Sequence, residues 1–217
     1  MTHVSELSPQ GEDWQRFSTL TTMRDHWENP HWTPGRQAFF WYLCVDSPEL
    51  RQLSSYCQQR LPQPFLNHVP LDALHLTLSR VGWHDEVSNA DVNAVFNAAT
   101  SSCAGLKPFT MTIGPVSGSP GAVRFSVGPW EPIVDLYRRL FNSTQAVLGT
   151  HYESEFRPHV GIAYCDKPVP AKPLIKAVSS LRDLPVIELL VSKVDLVLLR
   201  REGRTYRWTT IQSLHLK

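Results

Sequence analysis

Apolar positions along this chain fall into two kinds of segment. Some are short, dense and β-prone; others recur every three to four residues. Residues 38–45 (AFFWYLCV) are the densest run and predict a strand. A helix start at 46–48 leads into 49–60, where Leu50, Leu53 and Cys57 keep helical spacing until Pro62 and Pro64 break it. Residues 74–81 predict the next strand. Ser88-Asn89-Ala90-Asp91 starts a helix to about Ser102, with Val92, Val95, Phe96 and Ala99 as its stripe. Residues 109–116 and 122–127 read as a hairpin around the turn 117–121. A helix over 129–148 buries Ile133, Leu136, Leu140 and Val147 and leaves Arg138 and Arg139 outside. A strand over 157–164, a helix over about 170–181, and strands over 187–200 and 205–216 around Glu202-Gly203 complete the chain.

This order mixes strands and helices, so the class is α/β (α+β), with two antiparallel-rich sheets facing a central cleft and helices outside. Residues 1–35 are polar and carry Trp14, Trp27 and Trp32 with Pro30 and Pro34. They read as an arm, part-helical over 13–27, whose tryptophans dock on a body formed by one bilobal domain, residues 36–217.

Composition excludes several classes. Of 217 residues 42% are apolar and 19% charged, with a net charge of +1, so the chain is neither disordered nor wrapped in a positive field for nucleic acid. No apolar run reaches the length of a membrane span, and the polar start has no basic stretch leading into an apolar core. Cys44, Cys57, Cys103 and Cys165 are widely spaced, which argues against a disulfide framework or a cysteine zinc site. A bacterial cytoplasmic protein, away from membranes, is the expectation.

Two of the predicted strands share a device. Leu74-His75-Leu76-Thr77-Leu78 and Pro158-His159-Val160-Gly161-Ile162 each set a histidine in an apolar run, two residues before a small residue. Residues i and i+2 of a strand share a face, so His75 pairs with Thr77 and His159 with Gly161. Two strands that each present a histidine inward provide an acid and a base near neutral pH, and a threonine hydroxyl can donate to a developing oxyanion. That set suits phosphoryl transfer at an RNA-type 2′-hydroxyl without a metal.

HLTL and HVGI, 84 residues apart, resemble the paired motif of the two-histidine (2H) phosphoesterases, in which the third position is Thr or Ser. The bacterial 2′-5′ RNA ligase-like branch is the most similar. Met23-Arg24-Asp25-His26-Trp27, Phe156-Arg157-Pro158-His159 with Ala163-Tyr164, and Tyr206-Arg207-Trp208-Thr209-Thr210 resemble it too. The resemblance implies a bilobal, pseudo-twofold fold with both motifs in one cleft. It implies a cyclic phosphodiesterase, or a 2′-5′ RNA ligase, with His75, Thr77 and His159 catalytic. The implied substrate is an RNA end or small nucleotide, handled by a monomer with no cofactor and no metal. Two positions depart from the pattern. Gly161 lacks the second hydroxyl: a water or its own amide replaces the donor, a bulkier substrate is admitted, or catalysis is weakened. Tyr164 stands where some relatives carry a phosphate-binding arginine and is a candidate to bind substrate; strict alternation puts it off the His159 face, though a strand end can bend.

Other candidates divide between function and packing. Arg157, one strand step from His159, either binds phosphate or is solvated. Ser79 shares the predicted His75 face and is either a rim donor or strand filler. Trp41, Tyr206 and Trp208 lie on strands that could line the cleft; core packing is the commoner role of each, and only Tyr206 and Trp208 are taken as candidates to stack a nucleobase. His26 and His31 match no metal-ligand spacing, and His84 reads as a loop residue. The competing readings are an enzyme of the same fold for a small nucleotide metabolite, and a nucleotide- or RNA-binding module in which Gly161 ended catalysis.

Overall fold

The structure, a computed structural model, describes residues 8–62, 64–149 and 155–217, so the first seven residues of the expected arm lie outside it. In chain order it contains α1 (Pro9–Ser18), β1 (Thr22–Met23), β2 (Gln37–Cys44), α2 (Pro48–Gln58), β3 (Leu66–His68), β4 (His75–Trp83), α3 (Asn89–Ser102), β5 (Phe109–Ser119) and β6 (Ala122–Gly128). There follow α4 (Trp130–Leu148), β7 (His159–Cys165), β8 (Val169–Pro170), α5 (Lys172–Ser179), β9 (Ile187–Val191), β10 (Lys193–Glu202) and β11 (Thr205–His215).

Local chemistry sets the helix ends. Ser47 caps α2 on the Leu50 amide ahead of Pro48, and Ser88 and Asp91 form a reciprocal capping box on α3. The last turn of α4 stops at Gly149, whose φ of 64° lies in the left-handed region.

The strands form a four-stranded sheet in the order β11-β10-β2-β4, a five-stranded sheet in the order β3-β7-β6-β5-β9, and a small β1-β8 pair, every pairing antiparallel. One continuous core runs through both large sheets. Helices α3 and α4 pack together, with α4 against β4 and Phe96 of α3 stacked on Trp41 of β2. The two sheets meet where β4 packs against β7, so the strands bearing the two histidines are neighbours.

Three expectations are corrected. The arm is helical over Pro9–Ser18, earlier than 13–27, because Ser8 caps it ahead of Pro9. It lies on β5 and β6 with the Phe17 ring where a Gly118 Cβ would stand, at 2.3 Å. Residues 187–200 are two strands: the chain breaks at Ser192, so β9 joins the five-stranded sheet and β10 the four-stranded one. The hairpin strand β5 runs on to Ser119 and leaves only Pro120-Gly121 as its turn.

Candidate active site

The two motifs are anchored alike. Nδ1 of His75 lies 2.9 Å from the Ala73 carbonyl, and Nδ1 of His159 lies 2.7 Å from the Arg157 carbonyl. A carbonyl only accepts, so each Nδ1 carries the proton and each Nε2 is left to exchange one with a bound group. Nη1 of Arg124 is 3.0 Å from His159 Nδ1. Both atoms are donors in that tautomer, so this contact sets a positive charge against the ring and forms no hydrogen bond.

Each motif also contains an extra residue in its strand pairing. In β4, Thr77 faces Tyr42 and Ser79 faces Trp41, so Leu78 is unpaired. In β7, Gly161 faces Arg124 and Ala163 faces Val123, so Ile162 is unpaired. Both are β-bulges at the fourth position of the motif, and each inverts the alternation beyond it. The Ile162 bulge is held by buried Gln58, whose Nε2 donates to the carbonyls of Ile162 and Val69 at 2.9 and 2.8 Å.

The inversion corrects two expectations. Ser79 does not share the His75 face; it turns with Trp41 toward the helices, and both are buried there. Tyr164 moves the other way, onto the face of His159 and Gly161. Arg80, unremarked in the sequence, holds the matching place five residues after His75, on the face of Phe40 and Tyr42.

Around His75 the walls are aromatic. Tyr42 stacks on its ring at 4.4 Å and 13°, and Trp208 meets it edge-on at 5.0 Å. Tyr42 also shares a hydrogen bond with the Thr77 hydroxyl. His75, Tyr164, Tyr206 and Arg204 line one narrow cavity. The arm closes this region: His26 stacks on Tyr164 at 3.9 Å, and Trp27 packs against Tyr164 and Tyr206 while its indole donates to Asn67 at 2.9 Å. Thus His75, Tyr164 and Tyr206 share the cavity, Trp208 and the pair of Tyr42 and Thr77 flank His75, and Gly161, on the face of His159, touches Tyr164.

The Arg157 side chain does not point to the cavity. Its Nε and Nη2 bind Asp13 Oδ1 of α1 at 3.0 and 2.8 Å, and Nη1 lies 3.4 Å from both Glu12 and Glu155. Asp13 is 0% exposed. It also accepts from Arg124 Nη2 at 3.2 Å and from Ser126 Oγ at 2.9 Å. By strand register, Ser126 and Arg124 sit directly beside His159 and Gly161. Asp13, Tyr42, Arg80, Arg124 and Arg204 are site residues the sequence does not single out. A tyrosine in a predicted strand next to the first motif was the one available signal. No group of histidine, cysteine and acidic residues suited to a metal occurs among the described residues.

Burial pushes the His75 imidazolium down to about 4, against a weaker pull upward from the Ala73 carbonyl. Burial, then the Arg124 charge, pushes His159 down to about 3, and a charge on His75 lowers it further. His26 is lowered to about 4, again mainly by burial. Folded values below the unfolded value of 6.5 mean that the unfolded chain binds more protons as pH falls. The stability these rings contribute is full above about pH 6.5 and is lost progressively as pH falls toward their folded values. Tm is therefore expected to fall between pH 6.5 and 4, and to fall less steeply in a His75→Gln/His159→Gln variant. Equal slopes in thermal melts across that range would show that the rings titrate normally.

Residues 46–204 match the family model described as the 2′-5′ RNA ligase superfamily. The chain belongs to that superfamily. Its fold is that of the LigT-like 2H phosphoesterases. LigT of E. coli, in a crystal structure complexed with 3′-AMP, superposes with a TM-score of 0.65 at 18% identity, over 84% of this chain and 99% of LigT. TT0787 of Thermus thermophilus gives 0.63 at 19% identity, over 82% and 97%. ATU0111 of Agrobacterium tumefaciens, a conserved protein of unknown function, gives 0.51 at 14%, over 95% and 90%. No curated protein matches the sequence. Within this member of the 2′-5′ RNA ligase superfamily, Asp13, His26, Tyr42, Tyr206 and Trp208 all lie outside the matched span. No helix among the described residues is long and apolar enough to cross a membrane.

Proposed function

We propose that this chain is a metal-independent phosphodiesterase that opens 2′,3′-cyclic phosphates on RNA ends or nucleotides, or makes and breaks the related 2′-5′ linkage. The observation that carries this reading is the repeated anchor: two histidines on adjacent strands, each with Nδ1–H held by the carbonyl two residues back. In hydrolysis, water attacks phosphorus and the bond to one ribose oxygen breaks. His159 Nε2 takes the proton from water, and protonated His75 gives its Nε2 proton to the leaving oxygen. The Arg124 charge beside His159 Nδ1 disfavours a proton on that ring, which supports giving it the part of the base. The charge of the bound phosphate favours the proton on His75. Thr77 donates to a non-bridging oxygen.

The arginines of the C-terminal hairpin favour a small nucleotide over long RNA. Arg204, which lines the cavity, is paired with Asp166, and Arg207 and Arg200 of the same hairpin are paired with Asp72 and Glu202, so of its four arginines Arg201 over Trp27 has no ion pair among these. LigT structures complexed with 3′-AMP, ATP and NADP+ support a nucleotide ligand.

The test is hydrolysis of the four 2′,3′-cyclic nucleotides and of short RNAs with cyclic ends, in chelator, with products separated as 2′- or 3′-phosphates. Turnover that survives chelator, gives one isomer and favours mononucleotides is expected. Tight nucleotide binding with no turnover across the panel would leave a binding module instead.

A further inference from the structure

The two departures from the 2H motif touch each other. A Cβ built on Gly161 would stand 3.0 Å from the Tyr164 hydroxyl and 3.4 Å from Cε1 and Cζ of its ring. A serine or threonine at 161 would therefore have to share its space with that phenol. The Ile162 bulge makes this possible. In an unbroken ladder Tyr164, five residues after His159, would point away from the cavity; the extra residue turns it inward, over Gly161.

We propose that the Tyr164 hydroxyl supplies the phosphate-facing hydrogen-bond donor that Gly161 lacks, so that Gly161 and Tyr164 form one compensated pair. The inference rests on reading the cavity as a phosphate site. Three further observations support it. Tyr164 and His75 line the same cavity, so the phenol lies where the first motif's histidine also reaches. The ring is fixed, stacked on His26 at 3.9 Å and 16° and met edge-on by Trp27 and Tyr206 at 5.3 and 5.7 Å. Burial pushes the phenol well above its ordinary value, so it keeps its proton and acts as a donor. The first motif has a parallel, since Tyr42 sits beside the Thr77 hydroxyl. In both halves a phenol stands at the third position of the motif. In the first it supports a hydroxyl; in the second it replaces one.

The experiment compares Tyr164→Phe, Gly161→Ser and the double variant by cyclic-nucleotide turnover, and by inorganic phosphate affinity from ³¹P NMR. Tm reports folding. Tyr164→Phe keeps the ring and its stacking, so a purely structural tyrosine predicts little change in either readout. The donor role predicts a fall in kcat of about 10²-fold, the usual cost of one oxyanion donor, together with weaker phosphate binding. Gly161→Ser alone is expected to lose activity through the crowded phenol. Combined with Tyr164→Phe it should recover turnover above Tyr164→Phe alone, because the serine hydroxyl enters the vacated space. Unchanged kcat and phosphate affinity in Tyr164→Phe would overturn the proposal, as would a defect that Gly161→Ser fails to relieve. If the wild type turns over no cyclic phosphate, phosphate affinity decides alone. Weakening in Tyr164→Phe with recovery in the double variant then keeps the pair and discards the phosphodiesterase reading. Wild-type protein that binds no phosphate overturns both.

Discussion

Replacing either His75 or His159 with alanine is expected to lower turnover of a 2′,3′-cyclic nucleotide by about 10²–10⁴-fold, the range general acid–base catalysis contributes. The double variant should lose little more than the worse single one, because two groups that act as a unit in one displacement are not additive. The roles separate with the leaving group. A p-nitrophenyl phosphodiester expels a weakly basic phenolate that needs no general acid. His75→Ala should therefore recover much of its loss on that substrate, and His159→Ala should not. The reverse pattern would exchange the roles and would mean that the Arg124 charge beside His159 does not set them. Wild-type rates in both variants would remove the acid–base pair altogether. His75 lies between Tyr42 and Trp208, so its alanine variant opens a cavity and its Tm must be read beside its rate.

The sequence shows the strands that carry the motifs because period-two patterning and a β-prone run are local signals. His75, Thr77, His159 and Gly161 could be assigned to faces by counting. Counting fails beyond the fourth residue of each motif, where Leu78 and Ile162 are unpaired. A bulge is decided by the register of the partner strand, and nothing in HLTL or HVGI displays it. The same omission therefore misplaced Ser79 and left Tyr164, a substrate-binding candidate in the sequence, on the wrong face. The break at Ser192 was hidden for a related reason. Residues on both sides of it are β-prone, and the change of sheet depends on which neighbours, β5 or β2, offer a free edge. Arg157 was legible as a charge beside a histidine, but its partner, Asp13, is 144 residues away.

Asp13→Ala is expected to be the most destabilising single substitution at the site. The carboxylate is fully buried, receives Arg157, Arg124 and Ser126, and is the acidic group with which Arg124 forms its ion pair. Arg124 is itself 6% exposed. Removing one partner of a buried ion pair costs about 3–5 kcal/mol, because the other charge stays desolvated. For a chain of this size that corresponds to a fall in Tm on the order of 10 °C. Arg157 keeps Glu12 and Glu155 at the surface, so the penalty falls on Arg124. Asp13→Ala/Arg124→Met, which removes both charges, should therefore regain much of the lost stability, and a double-mutant cycle measures that coupling. Activity should not return with it. The double variant lacks the Arg124 charge beside His159 and the Asp13 anchor of the Arg157 side chain, and Arg157 is the residue whose carbonyl holds His159; small misplacement of a reacting group can cost about 10²-fold in rate. A change in Tm within the range of ordinary surface substitutions would show that Arg124 finds water or another partner. It would also reduce α1 from a support of the second histidine to a cover on the sheet.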